Sequence, residues 1–531
     1  MNTKKLVALA LLVSSTSFGQ TLKEAIQKTD NERFADADAD FRKLIAAEPA
    51  NGCYQFYFGE NFFERGELDS AKVHWTKALS VDQVAPLSFV GAGKTMWVNG
   101  DKEGAKAQFA KATSMTKNKN AEVLRAIAET YITSENKSLD EAITLLELAI
   151  KLDPRNEDAH LLMGDALYLK TPTDGSPAIK SYNKVLEINP KSPRGIVRTA
   201  KLYQRAKNFE LANEKYKEAQ TIDPTYAPAY RENAELYMMF KQADNAIVNW
   251  KKYLELNNSS EARFRYATAL FIGKQHCEAF AEFENVEKLG LTNFYLERMK
   301  AYSAIECATM TDGAQKGIDI LNHYFTIVPQ EKILFTDYKY KGIAYSKLGQ
   351  DSLAIIELEK ASSLDSKVAV ELATDIAKLY MKAKKYDKAI EFYTFKAANV
   401  KLSPAEYLDL GKAYFVGPKN YALADSAFAN LNALSSTYAA GFFWRARSSY
   451  QLDNNKTYAA KPHYEKMIEL VKVEERASNS YKVMVLEAAK YLGDYYVTSP
   501  EKDAVKAKDY WTIVNTLDPA DKQAKEFLGI K

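Results

Sequence analysis

A small residue recurs through this chain about every 34 positions, and that spacing limits the fold more than any other feature. The series is Ala25, Gly59, Gly93, Ala128, Gly164, Ala200, Ala234, Ala267, Ala301, Gly342, Ala377, Gly411, Arg447 and Gly493, in which Arg447 alone is not small. Its intervals run from 33 to 36 residues except for 41 before Gly342 and 46 before Gly493, where loop insertions are expected. A second small residue follows each by twelve to sixteen positions, as in Ala71, Ala105, Ala178, Ala212 and Ala424. Four positions further comes a large side chain, among them Phe41, Trp75, Phe109, Tyr182, Tyr216, Trp250 and Phe428. One unit, residues 193–226, shows what the spacing means. Ile196, Ala200 and Tyr203 recur at helical spacing, then Leu211, Ala212, Tyr216 and Ala219 do so again. The break between the two runs falls at Ala206–Asn208, and Asp223-Pro224 stops the second helix because proline cannot continue the hydrogen-bond ladder. Neither helix can bury its apolar stripe alone, so each pair must be covered by the next.

Fourteen such units in one register resemble the tetratricopeptide repeat family, and the resemblance extends from about Thr21 to Pro519. It implies an all-α fold, a right-handed superhelical solenoid of about fourteen helix-turn-helix repeats. The expected organisation is a leader at 1–20, the solenoid at 21–519 and a capping helix at 520–531, the last marked by Ala524, Phe527 and Leu528. The first repeat departs from the family pattern, with Lys28 in the usual aromatic position, as terminal repeats do when one face meets water. Insertions are expected at Thr171–Pro177 and Thr309–Gln315. At 472–484 the preceding helix is expected to lengthen or a turn to be added.

The leader has Lys4 and Lys5, an apolar run from Leu6 to Val13, and small or polar residues up to Gln20, which is the pattern of a secretory signal peptide cleaved beside Gln20. Eight apolar residues are too few to cross a bilayer, so no transmembrane segment is expected. The leader resembles those of soluble envelope proteins of Gram-negative bacteria, which implies a periplasmic or secreted protein. The formal charge of +3 includes the two leader lysines and falls to +1 without them, so nothing draws the chain to nucleic acid.

Three groups look chemical but fit ordinary helix better. Ser88 to Thr95 is nearly a phosphate-binding loop ending Gly93-Lys94-Thr95, yet Ser88 replaces its first glycine and Gly93 is a repeat anchor inside a helix, where the amides are already bonded. Asp36, Asp38 and Asp40 alternate like calcium ligands, but successive helix positions diverge. His276-Cys277 with Cys307 lacks zinc spacing. No nucleophile, base and orienter are brought together, so neither catalysis nor a cofactor nor a metal is expected.

The family resemblance implies that first helices line a concave groove that grips peptides or partner domains. Here that face holds Phe56, Phe63, Val90, Trp97, Leu161, Tyr168, Phe264, Phe271, Tyr295, Tyr302, Leu408, Phe415 and Trp444. Part of it fills space between turns of the superhelix, and the remainder is expected as exposed aromatic surface of the kind that marks a binding site. Arg194, Arg198, Lys201 and Arg205 form a basic stripe on one helix face. Ladder partners are expected at Asp158 for Arg194, at Asp165 and Glu235 for Lys201, and at Glu232 for Arg198, which leaves Arg205 without a counter-charge. A solvated charge ladder and a groove for an acidic or carboxylate-bearing segment both fit this stripe. The candidate partner-binding residues are Arg198, Arg205, Arg231, Phe264, Phe271, Arg298 and Tyr302. The leading function is a non-enzymatic scaffold binding a protein or peptide, of undetermined oligomeric state. The alternatives are a nucleotide-dependent regulator or enzyme using Gly93-Lys94-Thr95, and a structural subunit of an envelope assembly. Finally, Cys277 and Cys307 lie about equally far from the turn near Thr292, so a disulfide between antiparallel helices is expected if they face each other, with Cys53 left over.

Overall fold

The computed structural model describes residues 21–454 and 456–531, so the expected leader at 1–20 lies outside the described residues. Within them the chain is all-α and contains no strand. It runs as fourteen successive helix pairs, from residues 21–30 with Phe34–Ala47 to Lys482–Thr498 with Ala504–Leu517, then a short helix at Lys522–Leu528.

The sixth pair shows how sequence becomes structure. Ser192 caps the helix Pro193–Arg205, its hydroxyl accepting the Gly195 amide at 3.4 Å, and Pro193 fits the first turn, where an amide would be unbonded anyway. Lys207 then turns the chain with φ 61°, and the Asn208 side chain caps the helix Phe209–Ile222. The two marker series meet in space, a small residue of the first helix against the large residue of the second. A Cβ on Gly59 would lie 2.3 Å from Trp75, and one on Gly93 would lie 2.4 Å from Phe109. Those rings are almost wholly buried. Small anchors are thus the condition for the helices of a pair to approach closely.

The irregular unit at Arg447 follows the same logic with a shift of one position. Ala446 is the fully buried small residue, while the Arg447 guanidinium sits over the Phe415, Phe443 and Trp444 rings at 5.6, 5.5 and 5.0 Å. The long interval that follows is filled by a 3-10 turn, Val473–Glu475, and by a 17-residue helix, Lys482–Thr498. The insertion therefore lengthens the following helix, and the preceding one ends early, at Leu470.

Two compact units emerge. The first comprises residues up to Ser303 with Cys307–Thr309, and the second comprises Ala304–Glu306 with Met310–Lys531. In the first, the turn after residues 21–30 returns against the sixth and seventh pairs. The Ala227 amide donates to the Asn31 carbonyl at 3.3 Å, Arg231 pairs with Glu32 at 2.8 Å, the Tyr253 hydroxyl donates to Glu32 at 2.8 Å, and Arg194 reaches Asp30 at 3.0 Å. No feature of the repeat register anticipates this contact, because it joins residues about 200 positions apart.

Candidate site: a charged cavity in the N-terminal unit

The returning turn and the first helices of the N-terminal unit enclose a cavity of about 840 Å³. Its walls follow from the repeat register. Residues one and five positions after an anchor project inward, which gives Glu60 and Glu64 in the second pair, Glu129 in the fourth, and Lys201 and Arg205 in the sixth. One wall is therefore carboxylate and another cationic.

On the cationic wall, Arg194 pairs with Asp158 as well as Asp30, Arg198 with Asp165 at 2.9 Å, Lys201 with Glu232 at 3.0 Å, and Arg231 with both Glu32 and Glu232. Two expected ladder pairs are exchanged. Glu232 takes Lys201 in place of Arg198, and Asp165 takes Arg198 in place of Lys201, each side chain being long enough to choose between the neighbours before and after it. Arg231 is likewise no spare cation, because the N-terminal turn supplies its carboxylate. Burial pulls the pKa values of these guanidiniums down, but the carboxylates around Arg194, Arg198 and Arg231 outweigh it and raise them. Asp30 feels the opposite balance, with burial lifting its pKa to about 6 against the pull of Arg194. Of the stripe, Arg205 makes no ion pair among the described residues. It is exposed to the cavity and lies over the Tyr168 ring at 4.7 Å, while the Tyr168 hydroxyl is buried without a hydrogen-bond partner.

On the carboxylate wall, Lys94 donates to Glu60 Oε2 at 2.6 Å, Arg125 to Glu129 at 3.0 Å, and the Tyr57 hydroxyl to Glu122. Glu64 has no ion pair among the described residues. It projects into the cavity, yet protein surrounds it closely enough that burial, then Glu129 and Glu60, raise its pKa to about 7.

The seven candidate partner-binding residues do not form one site. Arg198, Arg205 and Arg231 line the cavity; Phe264, Phe271, Arg298 and Tyr302 do not. Phe264 lies tilted at 5.6 Å from Phe283, Phe271 lies 6.3 Å from Tyr302, and Tyr302 and Arg298 are buried. The expected aromatic surface is mostly contact between successive pairs. Phe56, Val90, Trp97 and Leu161 are almost completely buried, and Tyr295 is the clearly exposed member of that series. Glu60, Glu64 and Glu129 stand on the same mapped face, but a reading that looked there for apolar groups passed over them.

The remaining sequence candidates fall into ordinary structural roles. Gly93-Lys94-Thr95 lies inside the helix Pro86–Val98, with Thr95 Oγ1 donating to the Gly91 carbonyl and Lys94 about 1% exposed against Glu60 and the Trp75 ring. A phosphate cradle there would require that helix to unwind. Asp36, Asp38 and Asp40 pair with three different cations, Arg33, Arg42 and Lys28. Cys277 and Cys307 are joined by a disulfide with Cα atoms 4.7 Å apart, and Cys53 is free.

Comparison with known proteins adds sequence likeness to this geometry. The family described as TPR repeat matches residues 135–170. Human mitochondrial import receptor subunit TOM70 is 23% identical over 344 residues, or 62% of this chain and 51% of the receptor, so the chain spans about half the length of that curated relative. Among solved structures, the C-terminal part of a TPR repeat-containing protein from Cytophaga hutchinsonii is 31% identical, with 50% of this chain and 99% of that one covered at a TM-score of 0.42. A tetratricopeptide repeat protein from Parabacteroides merdae is 19% identical, with 48% and 98% covered at a TM-score of 0.32.

Proposed function

We propose that this chain, which belongs to the tetratricopeptide repeat family, is an exported, non-enzymatic adaptor that holds an acidic or carboxylate-bearing segment of a protein partner in the cavity of its N-terminal unit. Proteins built from these repeats generally mediate protein–protein contacts. The observation that carries the reading is Arg205. It is a permanent cation at the end of a neutralised stripe, open to a cavity whose volume suits a short segment and not a folded domain, and beside a tyrosine hydroxyl that lacks a partner. Guanidinium and phenol together can offer several donors to one carboxylate. The pairing of every other arginine on that wall argues that the site has one anion-binding point. Export rests on the leader, and the periplasm of a Gram-negative cell is its natural destination.

The test is a titration of the full chain with a glutamate-rich hexapeptide and with its glutamine analogue. The glutamate peptide should bind, weaken as salt is raised, and lose at least tenfold in affinity to Arg205→Glu, with the melting temperature unchanged. Equal binding by Arg205→Glu would discard the site. Arg231→Glu is unsuitable for this purpose because it would also break the contact with Glu32. Heat on titration with ATP would instead favour the nucleotide-dependent alternative.

A further inference from the structure

We propose that the carboxylate wall is a second subsite of the same cavity, which takes a cationic group of the bound segment, an ammonium or guanidinium on a side chain or at a free amino terminus. The proposal rests on the peptide reading of the cavity and specifies what lies at the other end of the peptide. Glu60 and Glu64 stand one turn apart on the helix Gly52–Glu64, and Glu129 faces the same space from Ala121–Thr133. The protein's own cations are already committed there, Lys94 to Glu60 Oε2 and Arg125 to Glu129. What remains is an excess of acceptor. Glu60 is 9% exposed and its Oε1 is buried with no hydrogen-bond partner, while Glu64 has no ion pair among the described residues.

A buried carboxylate oxygen in a native structure is normally satisfied, so the unpartnered Oε1 of Glu60, a residue that lines the cavity, leaves acceptor capacity for a donor. Burial first, and then the neighbouring Glu129 and Glu60, raise the Glu64 pKa to about 7, so a cation bound beside it would favour its ionised form. Among the described residues no three carboxylates, imidazoles or thiols are arranged to hold a metal ion, which favours an organic cation. With Arg205 on the cationic wall, the cavity is complementary to a segment that carries opposite charges a few residues apart.

The experiment uses three hexapeptides that share a glutamate-rich carboxyl half. One has an acetylated amino end and lysine near it, the second has norleucine in place of that lysine, and the third has norleucine with a free amino terminus. Calorimetric titration of the full chain should show the lysine peptide, the free-amino peptide or both binding about tenfold tighter than the acetylated norleucine peptide, and which of them does so identifies the source of the cation. Glu64→Gln should erase most of that ratio while leaving the affinity for the norleucine peptide and the helical content of the folded chain unchanged. Equal binding by all three peptides, or a ratio that survives Glu64→Gln, would overturn the second subsite. If the norleucine peptide still depends on Arg205 in that case, the anion reading stands by itself. If no peptide binds at millimolar concentration, both readings fall together.

Discussion

The two compact units use one register of small and large residues but fill their first-helix faces differently. In the N-terminal unit, guanidiniums and ammoniums meet carboxylates around a cavity, as Arg198 meets Asp165 and Lys201 meets Glu232. In the C-terminal unit, cations that pair with carboxylates, such as Arg447 with Glu487 and Lys461 with Glu501, also rest on clustered rings. Arg447 and Lys412 lie 5.0 and 5.9 Å from the Trp444 ring, which also contacts Phe415 and Phe428, while Lys461 lies over Tyr495 and Tyr496. Stacking of helix pairs requires particular residue types at the anchor and its large mate. It leaves the neighbouring inward positions free to be charged or aromatic, and those positions are where one family member can differ from another.

The contrast can be broken most severely at Lys94. It is about 1% exposed, and Lys94→Met would leave the Glu60 carboxylate buried without its cation, at a cost of about 3–5 kcal/mol. Arg447→Met in the C-terminal unit removes a half-exposed pair with Glu487 and should cost less than about 1 kcal/mol. Urea unfolding of the two variants would measure the difference, and equal costs would refute it.

Next comes the disulfide, since all three cysteines precede residue 310. Replacing Cys277 and Cys307 by serine opens a link spanning 30 positions and should cost about 3–4 kcal/mol. Hydrogen exchange should accelerate in the N-terminal unit while the C-terminal unit keeps its protection.

Glu64→Gln sharpens the comparison through pH. Because burial raises the folded pKa from 4.5 to about 7, folding takes up a proton between those values, and stability declines as pH rises through the interval. The glutamine variant escapes this decline. It should match the parent below about pH 4.5 and melt higher above pH 7, with the gap opening between.

The smallest effect concerns the turns. Lys241 closes a first helix with φ 57°, a conformation that costs a side-chain-bearing residue, whereas Gly349 does the same work in the C-terminal unit at φ 71°. Lys241→Gly should stabilise by about 0.5–1 kcal/mol and Gly349→Lys should destabilise by a similar amount, both measurable by thermal melting.

Most of the fold was legible because its information is local and repeated. An anchor such as Gly93 and its mate Phe109 lie within one unit, and the same pairing recurs along the chain. The site was legible in part. The basic stripe could be found because helical spacing puts Arg194, Arg198, Lys201 and Arg205 on one face, and Arg205 stood out for want of a partner. The exchange of partners between Arg198 and Lys201 could not be read, since a long side chain has a carboxylate within reach on either side. Glu60, Glu64 and Glu129 could have been found by asking which charges, and not which aromatics, occupy the positions one and five after each anchor. The meeting of Asn31 and Glu32 with Asp223, Arg231 and Tyr253 had no signature at all, because it involves a single turn and no periodicity.

That meeting changes when the N-terminal unit can become whole. A stack of repeats is ordinarily able to order itself as it emerges from the ribosome, each pair settling on the one before. Glu32, however, must wait for Tyr253, which is made 221 residues later. At about 5–20 residues per second the delay is roughly 10–45 seconds, during which the first pair has one uncovered end. Under the export proposed above, translocation machinery engaging residues 1–20 early would find the beginning of the chain still accessible.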